Sequence, residues 1–154
     1  SRRKEKGAYI AERIQSIAAT MGLGPEAAAT LLAGARLLPF AEGEIIQPVN
    51  SVPKAVGFIT EGEVGTFVTA ADGRRLSLGA LEVGDYIGAT SLTRQRMITG
   101  VIALTDTTIV AVSREAMNTV VQQYHRLARQ IGDTIELRRR AAREALAEAE
   151  QGVR

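Results

Sequence analysis

The sequence predicts an α+β fold: an eight-stranded antiparallel β-roll of the jelly-roll kind, flanked by N-terminal helices and followed by a hinged pair of C-terminal helices. Three observations predict it. Apolar residues recur at helical spacing at both ends of the 154 residues. The middle breaks into short β-branched and aromatic runs separated by Gly, Pro, Asn or Ser. Two of those separations, Glu61-Gly62-Glu63 and Asp72-Gly73, carry turn chemistry, and Asp-Gly is a strong hairpin signal.

Each element follows in order. From about Gly7 to Met21, Ile10, Ile14, Ile17 and Ala18 lie three or four apart and stop at Gly22, which predicts an amphipathic helix near 8 to 21. Gly24 and Pro25 start a second, Ala-rich helix near 25 to 34, with Pro25 in the first turn, where a missing amide hydrogen is tolerated. From Arg36 the period changes, and Leu37, Leu38 and Phe40, then Ile45 and Ile46, then Val56, Phe58 and Ile59 read as strands. Val64, Phe67 and Val68 precede the Asp72-Gly73 turn, and Leu76, Leu78 and Leu81 follow it. Val83 to Gly88 closes the meander, and Ile98 to Leu104 and Thr107 to Val112 form a last pair joined at Thr105-Asp106. Ser113 caps a long helix near 114 to 131, on which Met117, Val120, Val121, Tyr124, Leu127, Ala128 and Ile131 keep one apolar stripe. Gly132 is expected to be a hinge, with Asp133 and Glu136 restarting a helix near 133 to 149 by a capping-box spacing. A heptad through Ile135, Ala142 and Ala149 puts Arg138 in its seam. Three segments of one domain result: 1–35 helical, 36–113 the roll, and 114–154 the hinged helices.

Composition bounds the chemistry. The chain carries 19 Lys plus Arg against 17 Asp plus Glu, 45% hydrophobic residues, no Cys and 1 His. A thiolate nucleophile, a disulfide scaffold and a structural zinc site are excluded, and one His cannot supply the ligands of a metal-dependent jelly-roll enzyme. No catalytic residue and no metal ligand is assigned. His125 falls off the apolar stripe and reads as an exposed helix residue. No run approaches the roughly 18 apolar residues that a membrane span needs. Arg138, Arg139, Arg140 and Arg143 alternate with Glu136, Glu144 and Glu148, as in a solvated helix face with Glu136 paired to Arg140. With three Phe and no Trp, nucleic acid is not an expected partner. Because the chain opens on Ser1, it is expected to be a piece of a longer protein, and because Gln151 to Arg154 read as a fraying tail, its output domain is expected upstream.

The order of helices, roll and paired helices, together with Pro39-Phe40-Ala41-Glu42-Gly43-Glu44-Ile45-Ile46, Phe58-Ile59-Thr60-Glu61-Gly62 and Val83-Gly84-Asp85-Tyr86-Ile87-Gly88, resembles the cyclic-nucleotide-binding domain family. The resemblance implies a phosphate-binding cassette that begins with Gly-Glu and ends with Arg-x-Ala-Thr or Arg-x-Ala-Ser. There the Glu holds the ribose and the Arg the cyclic phosphate, by charge-assisted hydrogen bonds beside a short helix start. The matching segment runs from Gly88 to Gly100, and Ala89 stands where the Glu belongs. Arg96-Met97-Ile98-Thr99 fits the ending in a shortened loop, whereas counting back from Ala103 puts Met97 at the Arg position. Gly88, Ala89, Thr90, Ser91, Arg94, Arg96 and Thr99 are the candidate ligand-binding residues. Each lost charged hydrogen bond, about 1.5 to 3 kcal/mol, weakens a ligand by about one to two orders of magnitude. No cofactor is therefore assigned: cyclic AMP and cyclic GMP fit the fold, but their ribose anchor is missing.

The resemblance implies a non-catalytic regulatory domain whose terminal helices move when the roll is occupied. The segment Gly84-Asp85-Tyr86-Ile87-Gly88-Ala89-Thr90-Ser91-Leu92-Thr93-Arg94-Gln95 is also similar to the cytosolic C-terminal domains of actinobacterial small-conductance mechanosensitive channels. This implies a cytoplasmic location beneath a membrane channel as the upstream partner. The basic start Arg2-Arg3-Lys4 with Lys6 suits a linker leaving such a body. The alternative is an assembly module in which the roll holds no small molecule and the terminal helices join protomers into a homo-oligomer.

Overall fold

A computed structural model describes residues 1–152. Helix α1 spans Arg2–Thr20, longer at its start than the apolar spacing predicts, because the Ser1 hydroxyl accepts from the Lys4 amide and caps it. It ends as its glycine suggests. Gly22 takes φ +69, and the amides of Gly22 and Leu23 donate back to the carbonyls of Ala19 and Ala18. Helix α2, Pro25–Ala33, follows at once and buries Ala27 and Leu31.

Eight strands come next: β1 Ala35–Phe40, β2 Ile45–Gln47, β3 Ala55–Glu61, β4 Glu63–Thr69, β5 Arg75–Glu82, β6 Tyr86–Ile87, β7 Gly100–Ala103 and β8 Thr107–Ser113. They form two four-stranded sheets, ordered β1-β8-β3-β6 and β2-β7-β4-β5, and every pairing is antiparallel. The expected strand from Ile98 is shorter, since Ile98 and Thr99 belong to the preceding loop. Gly62, at φ +87, makes the β3–β4 turn, where a Cβ would collide with the Asp106 carbonyl.

Side-chain alternation splits the core in two. Val56 and Phe58 of β3 and Val110 and Val112 of β8 face the helices, meeting Ile14, Leu31, Met117, Val120, Leu127 and Ile131. Ile59 and Ile109, one residue out of step, face the roll interior with Val64, Ile87 and Val101.

The C-terminal helices correct one expectation. Ser113 caps α3, Arg114–Gln123, as predicted, but the chain leaves helical geometry at Tyr124 (φ −121, ψ 85), and α4, His125–Gly152, passes unbroken through Gly132. There is no helix end at residue 131 or 132. A glycine costs a helix only about 1 kcal/mol, and the burial of Leu127, Ile131 and Ala142 on either side of exposed Gly132 outweighs it. Tyr124 has a tertiary reason to break: its hydroxyl accepts the Gly24 amide at 2.9 Å, which ties the α3–α4 junction to the α1–α2 connection. Tyr124→Phe is expected to leave that amide unpaired and cost about 1 kcal/mol, read as a lower denaturation midpoint. An unchanged midpoint would show that the junction does not depend on the bond. Gln151 and Gly152 close α4, and Val153 and Arg154 of the expected tail lie outside the described residues. No helix among the described residues is long and apolar enough to cross a membrane.

Candidate functional site: a basic cavity between the cassette and α4

After β6, Gly88 turns the chain with φ +75 into a 3-10 turn, Ala89–Ser91. Gly88 sits against the Ala55 carbonyl with no room for a Cβ, so the turn is pressed onto the start of β3. Arg114, the first residue of α3, fastens it from the other side: Nε donates to the Ser91 carbonyl at 2.6 Å and Nη2 to that of Pro53 at 3.3 Å. Cassette, β2–β3 connection and α3 are thereby one unit.

The shortened loop settles its register against that connection. The Asn50 amide donates to the Met97 carbonyl at 2.6 Å and the Met97 amide to the Ser51 carbonyl at 2.9 Å, with Asn50 left-handed at φ +60. In extended backbone, neighbouring side chains point to opposite sides. Met97 is half-buried against the roll cluster of Ile59, Val64, Ile87, Val101 and Ile109, while Arg96 is exposed, its Nη1 donating to the Asn50 carbonyl at 2.6 Å.

A cavity of about 350 Å³ lies between this loop and α4. The cassette supplies Gly88, Ala89, Thr90 and Gln95 through Thr99; α4 supplies Ile135, Arg138, Arg139 and Arg143. Of the residues expected from the sequence, Gly88, Ala89, Thr90, Arg96 and Thr99 are brought together on this wall. Ser91 and Arg94 are not: Ser91 is fully buried behind the turn, and Arg94, left-handed at φ +54, is exposed in the loop. Ala89 is buried among Phe58 and Tyr86, and its methyl group offers no acceptor to a hydroxyl.

The α4 arginines are what sequence reasoning missed. They are not a uniformly solvated face. Arg138 is half-buried, donates through Nη1 to the Tyr86 carbonyl at 2.7 Å and lies 5.4 Å from the Tyr86 ring centre. Burial pushes its guanidinium below the ordinary arginine value, and Tyr86 and Asp85 push it back up. Arg139 donates to Gln95 Oε1 at 2.8 Å and to Glu136 at 2.9 Å, so Glu136 pairs three residues on and the expected Arg140 pairing is not formed. Arg143 is exposed at the cavity. Helical periodicity puts residues 135, 138, 139 and 142 on one side, and the seam position of Arg138 is the only signal in the sequence that this side packs inward. His125 is exposed, as expected.

An eight-stranded antiparallel roll, a glycine-led turn after β6 and a helix laid over that turn define a regulatory ligand-binding fold. A sequence profile of the cyclic nucleotide-binding domain matches residues 37–124, more than half of the chain, and the protein belongs to that family. No curated protein sequence matches it. Among solved structures, the chain is similar to the Thermus thermophilus catabolite activator protein, with 22% identity, a TM-score of 0.65, and 86% of this chain and 60% of that chain covered. It is also similar to the regulatory subunit of a cAMP-independent protein kinase A from Trypanosoma brucei, at 17% identity and a TM-score of 0.69, covering 86% and 48%. The regulatory domain of Toxoplasma gondii protein kinase A with cAMP has 15% identity and a TM-score of 0.68, covering 82% and 51%. At these identities the likeness is one of fold, and the chain spans about half to three fifths of the length of each of these structures.

Proposed function

We propose that the chain is a non-catalytic regulatory module in which occupancy of the cassette cavity changes how α4 sits, and that α4 and the N-terminal helices pass the change to an adjoining part of a longer protein. The observation that carries this is that one cavity is walled jointly by the cassette and α4, which are tied by Arg138 to the Tyr86 carbonyl and by Arg139 to Gln95. A ligand entering it meets both elements and can favour one arrangement over another. The Tyr124–Gly24 bond supports a route onward, because the junction before α4 is held by the connection that follows α1. For the parent protein we favour a membrane channel carrying this domain on its cytoplasmic side, on the cassette's resemblance and the basic start of α1.

The absence of Cys permits a direct test, with Ala71→Cys and Glu148→Cys, both exposed, labelled as a distance pair between the β4–β5 turn and α4. Ligand saturation is expected to change the distance; an unchanged distance in the saturated protein would sink the reading. Cyclic AMP and cyclic GMP are expected to bind weakly, with dissociation constants above roughly 10 µM by calorimetry, since Ala89 cannot accept from a ribose hydroxyl and Met97 faces the roll while Arg96 is held on the Asn50 carbonyl. Tighter binding would mean that other side chains replace both anchors. A second reading, an assembly module, rests on Leu137, which is 67% exposed on α4.

A further inference from the structure

We propose that the cavity between the cassette and α4 is built for a small phosphorylated ligand carrying at least two negative charges, a phosphomonoester or a diphosphate, in place of the single charge of a cyclic monophosphate. The inference rests on the regulatory reading of the same site and adds to it the chemistry of the ligand.

The charge count comes first. Arg96, Arg138, Arg139 and Arg143 stand on the wall, and among the described residues no Asp or Glu does. Glu136 pairs with Arg139 from outside the wall, and the carboxylate of Asp85, also off the wall, attracts Arg138. Four guanidiniums less those two carboxylates leave an excess of two positive charges. The partners of Arg96 and Arg138 are backbone carbonyls, which accept hydrogen bonds without neutralising the cation. Arg143 has no hydrogen-bond or ion-pair partner among the described residues. A cyclic monophosphate supplies one charge and leaves the cluster short.

The second observation is independent of charge. Buried polar groups in folded proteins are nearly always paired, yet the hydroxyls of Tyr86, Thr90 and Ser91 are buried without partners in this one segment. Thr90 lies on the cavity wall, and its buried, unpaired hydroxyl gains a partner there if the side chain turns toward a phosphate oxygen. At position 89, where a carboxylate would accept from a sugar hydroxyl, there is a methyl group. The wall is therefore rich in donors and lacks a charged acceptor, which suits anionic oxygen and not a ribose edge. Met97, Ile98 and Ile135 add an apolar side, and about 350 Å³ lies at the lower end of the range for small-molecule sites.

The test is calorimetry at fixed ionic strength with inorganic pyrophosphate, ADP, 5′-AMP and cyclic AMP. Pyrophosphate and ADP are expected to bind at least roughly tenfold more tightly than cyclic AMP, with 5′-AMP between them. Arg143→Ala should weaken pyrophosphate about tenfold, the loss expected of one charged hydrogen bond. Arg140→Ala, exposed on the same helix and off the wall, should weaken it less than about twofold. Both changes are at exposed positions, and a thermal melt of each variant shows that it is folded. The proposal is overturned by cyclic AMP binding as tightly as ADP, by no pyrophosphate or ADP binding at roughly 1 mM, or by equal losses at positions 140 and 143, which would mark unspecific attraction to a basic helix. The labelled pair at positions 71 and 148 separates the two ideas. Tight pyrophosphate binding with an unmoved α4 keeps the ligand class and removes the regulatory role; cyclic AMP that binds best and moves α4 does the reverse.

Discussion

Gly88→Ala is expected to lower the stability of the fold by about 3 kcal/mol or more. Two costs add. Gly88 has φ +75, and an L-residue in that region costs about 1 to 2 kcal/mol. The new Cβ would also overlap the Ala55 carbonyl oxygen and lie 3.3 Å from Cβ of Pro53. Those atoms are backbone and a proline ring, so they cannot swing aside as a flexible side chain could. Relief requires β6 to part from β3, where Gly57 pairs Ile87 and Phe58 pairs Tyr86, and it strains the Arg114 bonds to Ser91 and Pro53. Gly84→Ala is the control: φ is +101, but no atom lies within 4 Å of its Cβ, so only the conformational cost applies. Urea denaturation of both variants reads the difference. Equal losses at the two positions would show that the cassette yields freely against β3.

Ala89→Glu is expected to reverse the preference of the cavity. It puts back the ribose acceptor and removes one unit of the positive excess, so cyclic AMP should bind about ten- to a hundredfold more tightly and pyrophosphate less tightly than in the parent protein. The position is only 5% exposed and packs with Phe58 and Tyr86. A carboxylate there loses hydration that Arg138, on the same wall, offsets in part, and a stability loss of about 1 to 3 kcal/mol is expected without ligand. Calorimetry and denaturation together decide the matter. A folded Ala89→Glu variant that still ignores cyclic AMP would show that the shortened loop, with Met97 turned inward and Arg96 outward, prevents recognition whatever stands at position 89.

The fold was legible because its signals are local. Ser113 caps α3, Gly22 ends α1, and Gly62 and Asp72-Gly73 turn the chain where a reading of three or four residues places them. The stripe of Met117, Val120, Leu127 and Ile131 is buried as its period requires. The same stripe concealed the helix break. Both sides of Tyr124 bury their apolar face in one core, so the period runs on across a point where the backbone does not, while the low helix propensity of Gly132 is overridden in α4. The candidate site was legible only in part. Gly88, Ala89, Thr90, Arg96 and Thr99 lie in one stretch that a resemblance can point to. Arg138, Arg139 and Arg143 lie some forty residues further on, and nothing in their spacing says what α4 packs against.

The sequence by itself determined the strand runs, the turns at Gly62 and Asp72-Gly73, the Ser113 cap and the methyl group at position 89, because each depends on one residue and its near neighbours along the chain. Only the tertiary structure decided which of Arg96 and Met97 faces the roll, where the C-terminal helix breaks, and which arginines share a cavity with the cassette. Those outcomes are set by partners distant in sequence: Asn50 and Ser51 for the loop, Gly24 for Tyr124, and Tyr86 and Gln95 for α4. Such bonds form once the elements have docked, and the free energy that selects among the alternatives comes from surfaces that meet only then.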